Sequence, residues 1–592
     1  MKSSLTFSIA VLIMAAAATC VASPNDGIPH KRPNVVLLLA DDLGFTDLGA
    51  FGSEIATPNI DALARGGRMF SNYHTASSCA PTRAMLMSGL SSHQAGLGNM
   101  PESLTPEMRG HPAYAGELHP GIPTIAEHLR AEGYKTYIAG KWHLGTSENT
   151  LPSARGFDRT FILADTGGDN WEQKPYLPIY DQANWYADGQ RTTLPDDFYS
   201  SKTLVDKTIE FIDSAPFDAP FFSYVAFQAV HIPVQAPKEF TDKYLSTYEQ
   251  GWEQLRQARY QGAIAKGIVA PGLDMETMST TADWNALSPE EQRYEAKTMA
   301  VYAGMVEAMD FHIGRLIAHL KQTGQYDNTL FIFTSDNGAE PTDTLGKGVP
   351  AMGRRYFSWW LDNDYSTDYE TLGEKGSYNM IGPSFASAAV SPLSFYKFFN
   401  GEGGMRVPLI VKGPGVNPEQ PISQAFTFAT DIVPTILGIA NAEPIPQAQG
   451  KSLQPILSGM ADQTRSNEEG VGFELGGNAA YFMGNHKLVK NRGPVGDSEW
   501  HLYNIQQDPT ERVDLKQQLP ELFAEMQTRY ETYARTNGVL EVPPGYDQRM
   551  QVATNQARSM LRQIVPVLMG ITILVVLSLI LIVRVWRARH VY

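Results

Sequence analysis

Four short runs in this chain are almost unbroken in apolar residues, and each stops at a side chain able to do chemistry. NVVLLLA leads into Asp41 and Asp42, and TYIAG leads into Lys141 and His143. FFSYVAFQAV leads into His231, and LFIFTS into Asp336 and Asn337. A strand with one face in water alternates apolar and polar residues. A run without alternation is buried on both faces, as in a parallel sheet covered by helices. Strands are therefore expected at 35–40, 136–139, 221–227 and 330–334.

Helical stretches lie between them. PTIAEHLRAEG places Thr124 in a first turn and Gly133 as the stop. Over 298–323, Val301, Met305, Ala308, Met309 and Leu316 fall along one face, and Gly324 closes it. The expected fold class is α/β: a large, mostly parallel central sheet flanked by helices. Such open sheets place ligands just beyond the carboxyl ends of their strands. Four strands delivering polar groups at that end point to one active-site rim.

The two ends of the chain constrain where it works. MKSSLTFSIAVLIMAAAATCVASPND has Lys2, an apolar run over 5–18 and then small residues, the layout of a secretory signal. Cleavage after Ala22 would remove residues 1–22 and Cys20 with them. A lipoprotein signal would instead acylate Cys20, although Thr19 is a poor predecessor for that cysteine. At the other end, residues 564–583 are uncharged and long enough to span a bilayer core of about 30 Å. Arg584, Arg587 and Arg589 follow, so the tail 584–592 is expected in the cytoplasm. The chain is thus expected to be exported and membrane-anchored, with its catalytic part on the periplasmic or extracytoplasmic side. Between the ends we expect a catalytic domain over 33–459, a smaller C-terminal α+β subdomain over 460–545 and a linker over 546–563. With 47 basic against 63 acidic residues and no basic cluster, a nucleic-acid partner is excluded.

Asp41, Asp42, Asp336 and Asn337 offer oxygen donors only, the hard ligands that Ca²⁺ or Mg²⁺ prefer. Either pair alone also fits a turn or a helix cap; two pairs at equivalent strand ends favour a shared metal. No Cys or His cluster with zinc spacing accompanies them. Lys141, His143 and His231 fall on the same rim, where they could act as acid, base or anion clamp. The stretch Trp171–Asp197, rich in Tyr, Trp and Pro, reads equally as a pocket wall or a packed insertion.

Cys79 has no partner once Cys20 is removed. A free cysteine is usually an inert buried hydrophobe. A catalytic thiol needs a group that lowers its pKa; Arg83 could do so, and nothing local assigns His74 or His93 to that task. The residues alone leave Cys79 unexplained.

CAPTR at Cys79–Arg83, followed by AMLMSG, resembles the C-x-P-x-R signature of the type I sulfatases. The resemblance continues through NVVLLLADDLG, ATPNIDALARGG, AGKWHLG, TSDNG, GEGGMRVPLIVKGPG and LYNIQQDPTERVDL, in that family's order, from Pro33 to about Leu515. It is nearest to the bacterial arylsulfatases, within the alkaline-phosphatase-like superfamily. Two departures stand out: Ala80 where Ser or Thr is common, and Leu90 where many members have Arg.

The resemblance implies that Cys79 is oxidised to Cα-formylglycine, whose hydrated aldehyde is the nucleophile. It implies a formylglycine-generating or anaerobic sulfatase-maturating enzyme as partner during export. It implies one Ca²⁺ held by Asp41, Asp42, Asp336 and Asn337, with residue 79 beside it. Arg83 and Lys141 would hold the hydrate and the anion, and Asp336 would help to deprotonate the attacking hydroxyl. His143 would be the base that releases sulfate, and His231 and Lys397 would sit at the leaving oxygen. The implied substrate is a small sulfate monoester, foremost an aryl sulfate. Three readings compete: a phosphate or phosphonate ester hydrolase of the same superfamily, a non-catalytic membrane-tethered binder of sulfated glycans, and a plain cysteine hydrolase.

Overall fold

The computed structural model describes residues 32–346 and 351–589. The expected signal segment, including Cys20, lies outside them. The expected strands form as β1 (Asn34–Ala40), β3 (Lys135–Lys141), β7 (Phe221–Ala226) and β8 (Thr329–Ser335). Flanking strands complete a ten-stranded sheet: β2 (Arg68–Phe70), β4 (Arg159–Leu163), β5 (Trp185–Ala187), β6 (Gln190–Arg191), β9 (Leu409–Lys412) and β10 (Ile422–Ser423), in the order β10-β2-β9-β8-β1-β7-β3-β4-β5-β6.

The five central strands, β8-β1-β7-β3-β4, are parallel, as double burial requires. Beyond them β9 runs antiparallel to both β8 and β2, and β5 antiparallel to both β4 and β6. The sheet is therefore mixed, with a parallel centre. Several of the flanking strands are only two or three residues long, too short to show a period in sequence.

The alternation of β1 explains its unbroken apolarity. Val36, Leu38 and Ala40 enter one core, and Val35, Leu37 and Leu39 the other. Burying each such valine or leucine contributes roughly 1.5–3 kcal/mol. The first core packs on Val301, Met305, Met309 and Leu316 of a long helix that runs Pro289–Gln322. That helix starts nine residues before the expected 298, because Ser288 and Glu291 form a capping box around Pro289. The helix expected after Pro123 spans Ile125–Ala131; Thr124 is its N-cap rather than a first-turn residue, boxed with Glu127.

The second core receives helix α1 (Cys79–Ser88), every residue of which is buried. Phe473, Leu475, Ala480, Phe482 and Ile505 join the same core from a second, four-stranded antiparallel sheet. Its strands, β11 (Gly470–Leu475), β12 (Asn478–Met483), β13 (His486–Lys490) and β14 (His501–Asn504), fall in the expected α+β region over 460–545, and a helix over Pro520–Asn537 follows. Two further helices matter below: α2 (Ala351–Asp364) and α3 (Gln548–Arg589). Most of 546–563, expected as a linker, lies in α3. Asp547 starts that helix by accepting the Met550 amide at 2.9 Å. Within α3, Met569–Arg587 is long and apolar enough to cross a membrane and is fully exposed.

Register sets the site. Ala40 pairs with Ser335, so Asp41 and Asp336 leave neighbouring strands side by side; Gly140 pairs with Ala226, which aligns Lys141 with the same rim. Gly140 has φ +118°, and a Cβ there would stand 1.8 Å from the Ala226 carbonyl oxygen. Gly140→Ala must therefore spread β3 from β7 and move Lys141. We expect a loss of roughly 2–4 kcal/mol in stability and a severe loss of activity, checked by thermal denaturation and kinetics of the purified variant.

Candidate active site

Helix α1 brings its first residue to the strand ends. The Cys79 sulfur lies 3.8 Å from Asp42 Oδ1, and its ligand atom, with those of Asp41, Asp42 and Asp336, falls within one sphere of contact of 4.8 Å. One turn on, Arg83 reaches back under the cysteine. Its Nε and Nη2 donate to Asp336 Oδ2 at 2.9 and 2.7 Å, and its Nη1 donates to the Lys141 carbonyl at 2.8 Å. Lys141 Nζ donates to both Asp41 oxygens, at 2.9 and 2.6 Å. Lys397 Nζ donates to Asp42 at 2.9 Å and to Glu340 at 2.7 Å. His231 Nε2 lies 3.7 Å from Asp42 Oδ2.

All these groups are buried, so their charges must balance locally. Four carboxylates (Asp41, Asp42, Asp336, Glu340) face three permanent cations (Arg83, Lys141, Lys397). Burial pushes the Asp41 carboxyl up to about 8, against the pull of Lys141. Burial pushes Asp42 the same way, but Lys397, His231 and Lys141 outweigh it and hold that carboxyl below the usual range. Asn337 donates its amide to Asp42 Oδ1 at 2.7 Å, while its own Oδ1 is buried with no donor. Three closely set carboxyl groups and the orphaned Asn337 oxygen fit a hard divalent cation. Asp41, Asp42, Asp336 and Asn337 would hold it.

The two histidines are fixed in different states. His231 Nδ1 lies 2.6 Å from the Ile232 carbonyl. A carbonyl only accepts, so the proton sits on Nδ1 and Nε2 presents its lone pair. The edge of Tyr176 packs on this ring at 5.0 Å between centroids. His143 is arranged the other way. Its Nε2 meets Glu102 Oε2 at 3.3 Å, and its Nδ1 is buried without a partner. Burial, with Lys141 and Arg83 nearby, keeps the imidazole pKa low despite Glu102. The result is a neutral base with a free lone pair at Nδ1. Burial raises the Glu102 carboxyl, but His143 and the Tyr180 hydroxyl, which donates at 2.7 Å, hold it down at about 2.

The structure thus connects nine of the expected residues, Asp41, Asp42, Cys79, Arg83, Lys141, His231, Asp336, Asn337 and Lys397, by direct contacts. It brings His143 in beside them through Lys141 and Glu102. Tyr176 and Tyr180 come from the stretch 171–197 that reads as a pocket wall or a packed insertion, while Glu102 and Glu340 are additions to the expected residues. Glu340 could have been foreseen, since it lies four residues beyond Asp336 in SDNGAE. Glu102, in the turn PES, carries no local signal.

A buried position ringed by cations and hard oxygen donors at strand ends suits the binding of an anion. The profile described as Sulfatase matches residues 33–442, and that of the N-sulphoglucosamine sulphohydrolase C-terminal region matches 394–535. The chain is 35% identical over 546 residues to an uncharacterised sulfatase of Schizosaccharomyces pombe, covering 88% of this chain and 97% of that protein. It is 35% identical over 451 residues to the arylsulfatase of Klebsiella aerogenes, covering 75% and 94%. Its fold is similar to the crystal structure of Ps i-CgsB, with a TM-score of 0.62 over 90% of this chain and 98% of that one, at 24% identity. The chain belongs to the type I sulfatase family, with the alkaline-phosphatase-like fold, and is a sulfuric ester hydrolase.

Glu102 sets the His143 tautomer, so Glu102→Gln, which can donate to Nε2, should move the proton to Nδ1. We expect kcat to fall by on the order of 10²-fold with KM and melting temperature little changed, and Glu102→Asp to recover part of the loss. Equal losses in kcat and in stability would mark Glu102 as merely structural.

Proposed function

We propose that this enzyme hydrolyses sulfate monoesters, aryl sulfates foremost, with Cα-formylglycine made from Cys79 and one Ca²⁺, on the outer side of a membrane crossed by α3. The observation that carries this reading is the place of Cys79, buried at the head of α1 in the CAPTR run and clustered with Asp41, Asp42 and Asp336. It is fully buried, and burial raises its thiol well above the ordinary value despite Lys141 and Lys397. A nucleophilic thiol needs the opposite shift, so a plain cysteine hydrolase is disfavoured. A residue oxidised before folding needs no thiolate.

The formylglycine hydrate would supply the attacking oxygen and its own route of release, and Ca²⁺ on Asp41, Asp42, Asp336 and Asn337 would polarise the sulfate. The remaining work falls to the chain's own side chains. Lys141 and Lys397 are fixed cations that offset the charge of the ester anion, which otherwise repels nucleophiles. Arg83 holds Asp336 in place to accept a proton at the attack. The His231 Nε2 lone pair, 3.7 Å from Asp42 Oδ2, would first take up a proton in the substrate complex and then pass it to the leaving oxygen. His143 takes a proton at Nδ1 as sulfate departs, with Glu102 holding the ring.

The aryl preference rests on the likeness to the Klebsiella arylsulfatase. Ps i-CgsB has been crystallised with k-i-k-neocarrahexaose, but at 24% identity that likeness reaches the fold only. Export and anchoring rest on the apolar leader and on the exposed window Met569–Arg587.

Serine at position 79 can attack but has no second hydroxyl with which to release sulfate. Cys79→Ser should therefore yield at most one product per enzyme and a peptide heavier by one SO3 group, as a serine sulfate ester; sustained turnover would contradict the mechanism. Removing divalent ions should lower the melting temperature. Ca²⁺ at about a hundredfold excess over its Kd should restore about 2.7 kcal/mol, and no response to Ca²⁺ would remove the ion from the account. Faster hydrolysis of aryl phosphates than of aryl sulfates would favour the phosphohydrolase reading.

A further inference from the structure

The first turns of α3 are fastened to the rim of the active site. Asn555 Nδ2 donates to the carbonyls of Glu102 and Leu104, both at 2.9 Å. Gln548 Nε2 donates to Asn99 Oδ1 at 2.7 Å, and the Tyr546 hydroxyl to the Ser103 carbonyl at 3.0 Å. The loop so gripped is the one whose Glu102 carboxylate reaches His143 and Tyr180.

Helix α2 stands beside this anchor point, where its Tyr356 lies against Gln556 of α3. The inner face of α2, Phe357, Trp360 and Leu361, packs with Tyr365, Tyr378 and Leu177. Tyr378 in turn donates to the Tyr176 carbonyl at 3.0 Å, and Tyr176 packs on His231. The base of α3 and the inner face of α2 are therefore linked to the two site histidines, the one through Glu102 to His143 and the other through Tyr378 and Tyr176 to His231.

The outer face of α2 is of another kind. Met352 is 82% and Trp359 60% exposed, and Arg355 is exposed between them, at helical spacings of three and four. A thioether, an indole and a guanidinium in one exposed stripe match the bilayer interface, where tryptophan sits at headgroup depth and arginine pairs with lipid phosphate. From Gln556 to Ile564, where the uncharged run begins, is eight residues, about 12 Å along a helix.

We infer that the Met352–Arg355–Trp359 stripe rests in the headgroup layer of the phospholipid bilayer that holds α3. The rim of the cleft then faces the membrane surface, and an ester carried at that surface lies within reach of the site. The inference rests on α3 being the membrane anchor, and its test separates the two.

The full chain is reconstituted in phosphatidylcholine vesicles containing phosphatidylglycerol and headgroup-labelled nitroxide lipid. A fluorophore is placed at Trp359→Cys, at Met460→Cys as an exposed control, or at Leu577→Cys within α3. Cys79 is buried and leaves the introduced thiol as the reactive one among the described residues. The expected result is several-fold stronger quenching at residue 359 than at 460, with aryl sulfate hydrolysis unchanged in all three. Equal quenching at 359 and 460, with the label at 577 protected from an aqueous quencher, would overturn the docking of α2 alone. A label at 577 open to the aqueous quencher would overturn the anchor and this inference with it. Neither outcome touches the sulfatase chemistry, which the hydrolysis assay reads separately.

Discussion

Asp336 accepts the guanidinium of Arg83 on one oxygen and the Asp42 amide on the other, and most of the site hangs from that carboxylate. It ties the helix that presents residue 79 to the ends of β1 and β8. From there the contacts run on through Arg83 to the Lys141 carbonyl and through Lys141 to Asp41. A buried ion network of this kind is expensive to form, and removing one partner costs about 3–5 kcal/mol. What it secures is position: Arg83, Lys141 and Lys397 are each held at the strand ends by a carboxylate.

A second buried network lies on the other side of residue 79. Glu402 contacts His74, at 3.1 Å, and Lys487, at 2.9 Å; Lys487 also pairs with Glu511 at 2.9 Å. His74 lies just before the CAPTR motif, Glu402 just after Lys397, and Lys487 on β13. The smaller sheet is thus not an independent appendage. It contributes Lys487, which joins Arg406 in pairing with Glu402, and its apolar face completes the core under α1.

The parts of this arrangement visible in the sequence are those with a strong local cause. Double burial removes alternation, so β1, β3, β7 and β8 stood out as apolar runs, and the polar residues at their ends could be read as a rim. Capping chemistry is local too: Thr124 with Glu127 and Ser288 with Glu291 both carry the S/T-x-x-E pattern, and the second starts the long helix well ahead of its apolar face. The flanking strands were not legible, because two or three residues carry no period and their pairing is decided by what lies beside them. Glu102 escaped for a related reason: its role comes from a loop meeting His143 across the fold, and PES alone reads as a surface turn. The continuous helix from Gln548 was hidden by a polar stretch that reads as a linker until the rim loop that it grips is in view.

The account turns on residue 79 being an aldehyde rather than a thiol in the working enzyme. The direct measurement is mass spectrometry of the peptide spanning Ser77 to Met87 from protein purified in active form. The account predicts loss of the cysteine sulfur and a carbonyl that reacts with hydrazides. An unmodified thiol at Cys79 in fully active protein would contradict it.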